Sequence, residues 1–326
     1  MNSNLIKVSV YCLAFNHVKF IKKTLDGFVN QKTDFNFEVY VHDDASTDGT
    51  LEIIKEYAEK YPNIIKPILQ KENQFSQGVR ITRDILFPKF KGKYIAICEG
   101  DDYWTNDNKL QIQYDFLEKN EEYVACVHNT VKIIDGHITK ELINPLTINT
   151  DLNLKDVILR GSSQFQTSSI MYRKELLEKN KRPCFLDSIK GVGDYPLAVY
   201  LAISGKIYFY KEVMSAYRIN APGSWSNEVE SKKESHIKVR KDCINMLKEA
   251  NRFSNYRYND DFNYAILYHE YDIELLSNGK IKKKKKYLPL LKGKNLKNSI
   301  KFLWNTYLPK TYFAYSRIKS TFKKRG

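Results

Sequence analysis

Tyr94-Ile95-Ala96-Ile97-Cys98-Glu99-Gly100-Asp101-Asp102-Tyr103-Trp104 runs from a buried-strand pattern directly into a cluster of carboxylates. Tyr94 to Cys98 is a short apolar run of β-favouring residues, bounded upstream by Gly92. Glu99, Asp101 and Asp102 follow, with only Gly100 among them. Acids after a strand can be plain turn chemistry. Packed this closely they repel one another, and a bound cation relieves that repulsion.

The chain before this stretch sets its context. Ile6 to Leu13 reads as a first strand, followed by a turn at Ala14-Phe15-Asn16. Asn16 is placed to cap a helix whose apolar positions are Phe20, Ile21, Leu25, Phe28 and Val29. Phe37 to His42 alternates as a second strand and ends in a second acidic loop, Asp43-Asp44-Ala45-Ser46-Thr47-Asp48-Gly49-Thr50. A helix bearing Leu51, Ile54, Tyr57 and Ala58 stops before Pro62. Ile64 to Leu69 is a third strand, and a polar loop over residues 72–78 leads to a helix through Arg83 and Phe87. The order β-α-β-α-β-α-β predicts a mostly parallel sheet with helices on both faces. Ligands bind outside the carboxyl ends of such strands, where both acidic loops and the Ala14 turn fall.

Two common nucleotide sites are excluded. No GxGxxG follows the first strand, and no GxxxxGK[ST] occurs. What remains is carboxylates, which suit a divalent ion holding a diphosphate.

The segments VSVYCLAFN, VHDDASTDGT, CEGDDYWTNDNKL and GDYPLAVYLAISGKIYFY, in this order and spacing, resemble the inverting family 2 glycosyltransferases of the GT-A fold. The similarity spans roughly residues 5 to 226. It implies a GT-A domain over residues 1–226, a nucleotide-sugar donor that is expected to be a UDP-sugar, and Mn²⁺ or Mg²⁺. By resemblance, Asp43 or Asp44 binds the base, with Ala14 beside it and Arg83 nearby. A carboxylate can accept from the imide N–H of uracil, which cytosine lacks. The DxD motif of the family maps onto Glu99-Gly100-Asp101 with Asp102 adjoining. Asp102 and Asp101 are the expected metal ligands, Asp101 also serves the ribose, and Glu99 supports the loop.

Asp194, at the mouth of an apolar helix, is the general base by the same resemblance. An acid at a helix start also interacts favourably with the helix dipole without any further role. Relatives often carry His where Asn220 stands, so a third protein ligand there would be only an amide oxygen. Arg218 and Ser224 are candidates for the diphosphate or acceptor. Between the motifs, Tyr123 to His128 predicts a strand, Ile133 to Ile138 a hairpin with its turn at Asp135-Gly136, and Leu152 to Leu159 a short helix. Gln166 to Tyr172 predicts a strand, and Ile207 to Tyr210 and Val213 to Tyr217 two more.

The 326 residues carry a net charge of +15, unevenly placed. Lys280 to Gly326 holds 16 basic residues and no acid, leaving 37 basic against 38 acidic residues elsewhere. A near-neutral body with a basic tail speaks against nucleic acid as the partner of the body. Residues 227–326 are expected to be a helical C-terminal region. In it Ile300, Leu303, Trp304, Tyr307 and Leu308 share one helical face, with Tyr312, Tyr315, Ile318 and Phe322 beyond Pro309. Aromatics opposite lysines predict an interfacial helix on an anionic membrane surface. Five scattered cysteines form no CxxC pair, and no apolar run is long enough to span a membrane. A cytoplasmic protein, peripheral at the inner face of the cell membrane, is expected. The acceptor expected from the tail is a lipid-linked glycan of surface polysaccharide biosynthesis. Alternatives are a nucleic-acid-binding protein acting through the tail and a catalytically silent GT-A scaffold.

Overall fold

In the computed structural model, residues 5–178, 181–190, 192–219, 233–282, 284–291 and 296–308 are described. Alternating and continuous apolar runs become β1 (Ile6–Ala14), β2 (Asn36–Asp43), β3 (Ile65–Leu69) and β4 (Tyr94–Ile97). They pair in parallel in the order β3-β2-β1-β4. Val8, Val10, Cys12, Val39, Val41 and Ala96 are buried among Ile21, Leu25 and Phe28 of α1 (Ile21–Val29) and Ile54 of α2 (Thr50–Lys60). Burial on both faces explains why these strands read as nearly unbroken apolar runs.

The second half of the ten-stranded sheet is mixed. It comprises β5 (Tyr103–Trp104), β6 (Tyr123–Ile134), β7 (His137–Leu142), β8 (Thr150–Asp151), β9 (Met171–Arg173) and β10 (Lys206–Arg218). β9 is antiparallel to both β4 and β6, β10 is parallel to β6, and β5 closes the order antiparallel to β10. The predicted hairpin is present: β6 and β7 pair around Asp135 (φ 50°) and Gly136 (φ 80°). Two positive-φ residues match the twist of the flanking strands. The helices here are α3 (Lys109–Lys119), α4 (Leu154–Arg160) and α5 (Asp194–Ser204).

Several local expectations change. Asn16 does not cap α1, which starts later, at Ile21 after Phe20; Asn16 has φ 55° and accepts from Thr47 N instead. The helix expected through Arg83 and Phe87 is a π-helical turn, Ile81–Leu86, then a 3₁₀ turn, Phe87–Lys89. Pro88 lacks the N–H that a continuing ladder needs. The strand expected over Gln166–Tyr172 is a 3₁₀ turn, Thr167–Ser169, leading into β9. The two strands expected over 207–217 are one, β10, whose register shifts between Tyr210 and Val213. Two extra residues there, Lys211 and Glu212, locally mimic a strand break.

The chain divides into two compact units, residues 1–187 with 191–227, and residues 188–190 with 228–326. The second contains α6 (Lys233–Phe253), α7 (Asn259–Asn278), a 3₁₀ segment Lys284–Leu291 and α8 (Leu296–Tyr307). Its core is Tyr271, Ile281, Tyr287, Leu290 and Phe302. Cys12, Cys98, Cys126 and Cys243 are buried and Cys184 is exposed.

Candidate functional site

The carboxyl ends of β1 and β2 are knitted together by polar side chains. Asp44 N donates to Ala14 O (2.9 Å), which places Ala14 between the two acidic loops. The Asp43 carboxylate, fully buried, accepts from Ser46 Oγ (2.5 Å) and Ser46 N (3.1 Å). Asp44 accepts from Gln74 N (2.7 Å) and Phe75 N (3.0 Å), so it shapes the loop that follows β3. Asp48 accepts from Val18 N (3.0 Å) and from Thr50 N and Oγ1 (3.1 and 2.6 Å), tying the start of α2 to the turn after β1. Side chains that accept from nearby backbone N–H groups are what Asp and Ser do at turns.

The end of β4 is built differently. Gly100 N donates to Leu13 O (2.9 Å), laying the acid loop against the end of β1. A Cβ on Gly100 would meet His17 Nδ1 at 2.6 Å and Leu13 O at 3.0 Å, so only glycine fits between Glu99 and Asp101. Thr24 of α1 donates its single hydroxyl proton to the loop, with Gly100 O at 3.0 Å and Asp102 O at 2.5 Å. From 116 residues away, Arg218 N donates to Asp102 Oδ1 (3.0 Å), and the Arg218 guanidinium donates to Asp101 O. That guanidinium sits over the rings of Phe20 (4.7 Å) and Tyr103 (5.0 Å).

The electrostatics follow from burial. Glu99 is pushed up to about 8 by burial, then by the charges of Asp101 and Asp194. Asp102 is pushed well above the carboxylate range by burial and Asp101, against the opposing pull of the Arg218 N–H. The structure therefore brings Glu99, Asp101, Asp102, Asp194 and Arg218 into one electrostatic neighbourhood. Asp194 opens α5, and its Oδ1 accepts from Tyr195 N (2.8 Å), so the helix-start role is met as well.

Arg83 lies on the π-helical turn, paired with Asp84 (2.6 Å) and Asp187 (2.9 Å). No contact joins it to the acid loops among the described residues. Asn220 and Ser224 lie outside the described residues. Sequence reasoning passed over three residues. Thr24 looks like any helix threonine, and nothing local marks it. His17 has a buried Nδ1 that makes no hydrogen bond among the described residues, and burial lowers its pKa against the pull of Asp101. Lys109 opens α3 fully buried, its ammonium 4.2 Å over the Trp104 ring, and burial lowers it to about 7. A lysine among apolar helix positions is its only signal in the sequence.

The donor set fits a hard divalent ion. Asp101 and Asp102 offer adjacent carboxylate oxygens, and burial, then the charge of Asp101, raises the proton affinity of Asp102, a cost that a bound cation would offset. Among the described residues no group of three or more His, Cys, Asp or Glu forms a closed cage. An ion held by two carboxylates, with substrate phosphates and water completing its shell, is the usual arrangement for Mg²⁺.

A parallel β3-β2-β1-β4 half, an acid loop after β4 and a mixed second half define a GT-A fold. The chain belongs to glycosyl transferase family 2, whose family model matches residues 9–180. An uncharacterized protein of Mycobacterium tuberculosis, Rv1520, is 35% identical over 220 residues, covering 67% of this chain and 60% of that protein. The poly(ribitol-phosphate) beta-glucosyltransferase of Bacillus spizizenii is 23% identical over 250 residues, covering 75% of this chain and 37% of that one. The chain thus spans about 60% of the length of the first curated relatives it matches. Among solved structures, S. aureus TarS residues 1–349 in complex with UDP-GlcNAc gives a TM-score of 0.61 at 19% identity, covering 88% of this chain and 80% of that one. The mannosyltransferase PcManGT of Pyrobaculum calidifontis, in complex with GDP-Man and Mn²⁺, gives 0.57 at 16% identity, covering 98% and 85%. At these identities the structural likeness speaks for the fold.

Proposed function

We propose that this protein is a metal-dependent, inverting glycosyltransferase that moves a sugar from a UDP-sugar to an acceptor hydroxyl. The observation that supports the reading is the crowded acid loop at the end of β4, where buried Glu99 feels the charges of Asp101 and Asp194. Asp102 and Asp101 hold the divalent ion, and Asp101 also meets the ribose. Asp43 or Asp44 accepts from the uracil imide using lone pairs left free by the loop. Glu99 supports the loop, and Arg218, which bonds to Asp101 and Asp102, serves the diphosphate or the acceptor. A divalent ion bound there would supply charge neutralisation for the departing diphosphate.

Asp194 then acts on the acceptor side. The acceptor hydroxyl attacks the anomeric carbon opposite the leaving UDP, the glycosidic bond forms as the bond to the phosphate oxygen breaks, and Asp194 takes the hydroxyl proton. This inverts the anomeric centre. Arg83 keeps a place near the base. Asn220 and Ser224 are proposed for the closing side of the donor site. The relative named a poly(ribitol-phosphate) beta-glucosyltransferase, together with the basic tail, supports a lipid-linked glycan acceptor used at the inner face of the cell membrane.

The test is calorimetry of UDP binding with and without Mn²⁺, followed by a panel of nucleotide sugars assayed for metal-dependent hydrolysis. Metal-dependent UDP binding and turnover of one donor are expected. Absence of any metal-dependent UDP binding would leave the silent-scaffold reading instead.

A further inference from the structure

Helix α8 carries apolar side chains on two sides, and the fold uses one. Phe302 and Thr306 are buried, 9% and 1% exposed. The Phe302 ring lies 5.0 Å from that of Tyr271, and Thr306 Oγ1 lies 3.2 Å from Tyr271 Oη. On the other side Ile300, Leu303 and Tyr307 are 54%, 36% and 44% exposed. Their spacing puts them in one stripe along the helix. Basic residues frame that stripe. Lys301 is exposed beside it, and Lys284 Nζ sits 4.7 Å over the Tyr307 ring. Lys282, Lys285 and Lys286 are exposed on the segment that Lys284 joins to it.

We infer that the Ile300-Leu303-Tyr307 stripe enters the interface of a bilayer with anionic headgroups, with the lysines around it on those headgroups. Charge decides among the possible occupants. A second copy would bring an identical segment, rich in lysine and free of acid from Lys280 to Gly326, against itself. A nucleic acid offers phosphates but no apolar phase for an exposed isoleucine and leucine. An anionic bilayer offers both. The geometry also fits, since a helix of this length spans roughly 18 Å against a hydrocarbon core of roughly 30 Å, so it lies in the interface plane. No described helix is long and apolar enough to cross a membrane. Docking of Phe302 and Thr306 on Tyr271 fixes which face turns outward.

The inference deepens the proposed use of a lipid-linked acceptor, but vesicle binding needs neither donor nor metal. Its failure would leave UDP binding intact, and failure of the transferase reading would leave vesicle binding intact. The experiment is sedimentation of the full chain with vesicles of phosphatidylcholine alone and with one-third phosphatidylglycerol. The expected result is partitioning to anionic vesicles at least ten-fold above neutral ones, weakening as salt is raised. Ile300→Glu with Leu303→Glu should lower it at least ten-fold, with unchanged UDP affinity and circular dichroism as controls for folding. Neutralising Lys282, Lys284, Lys285 and Lys286 to Gln tests the charge half independently and should give a loss of the same direction. Equal sedimentation of wild type and the Glu variant would overturn the inference. So would equal binding to both vesicle types, or a wild-type dimer that the Glu variant converts to monomer with vesicle binding unchanged.

Discussion

The two strands that flank β1 in the sheet lead into paired aspartates, Asp43-Asp44 at the end of β2 and Asp101-Asp102 after β4. At β2 the chain answers its own acids. Ser46, Gln74 and Phe75 direct N–H and O–H donors at the two carboxylates. At β4 the backbone supplies one donor, Arg218 N, while burial and then the charge of Asp101 raise the proton affinity of Glu99 and of Asp102. Acids satisfied by the fold stabilise it, and acids left to repel one another lower stability until a cation arrives. The same dipeptide is hydrogen-bonded into its own loop at β2 and is crowded by a third acid at β4.

Four experiments press on this contrast. The largest effect is expected at Asp194, on the acceptor side of the charge site. Asp194→Asn should cut turnover by about 10³-fold, within the range of a lost general base. UDP affinity should stay within a factor of about two, because the donor loops are untouched. Near-normal turnover would remove Asp194 from the mechanism.

Next is Asp102→Asn. Metal-dependent UDP binding should weaken by about ten- to one-hundred-fold, as expected when one of few charged metal contacts is removed. Thermal stability of the metal-free protein should hold or rise, since a buried repulsion has been relieved. A drop in Tm would break the contrast. Asp44→Ala should do the reverse, costing about 2–3 kcal/mol of stability by leaving two backbone N–H groups without their acceptor. Urea unfolding would measure it, and stability equal to wild type would show that the β2 loop does not depend on its acid.

The smallest effect is electrostatic and lies beside the charge site. Burial lowers Lys109 to about 7 from its ordinary 10.5. Between those values the unfolded chain holds a proton on Lys109 that the folded protein does not, so the Lys109 contribution to stability should rise with pH across that window. The Lys109 contribution is lowest and flat below 7, where Glu99, raised to about 8, contributes a slope of the opposite sign in wild type and variant alike. The slope for one proton is at most about 1.4 kcal/mol per pH unit. Lys109→Met should flatten it, which denaturation midpoints at pH 7, 8 and 9 would detect. An unchanged slope would place the titrating group elsewhere.

Much of this was legible in advance. Apolar runs, turn residues and the recurrence of acids at strand ends located β1 to β4 and the Asp135-Gly136 hairpin, because strand periodicity and turn chemistry are local properties. The family resemblance pointed to Asp194. The π-helical turn at Arg83 and the unbroken β10 were not legible, since a proline stop and a bulge each look like a different local pattern.

The sequence by itself determined that acids stand at two strand ends, that glycine separates Glu99 from Asp101, and that positive charge collects after Lys280. Only the tertiary structure decided which acids are satisfied. Thr24 reaches Asp102 O across 78 residues and Arg218 N reaches its carboxylate across 116, while the donors to Asp44 come from a loop 30 residues on. Only the fold, too, turned Phe302 inward and Ile300 outward on α8. A carboxylate's chemistry depends on its burial and on the donors facing it. Both are set by chain segments far apart in sequence that come together only when the sheet forms.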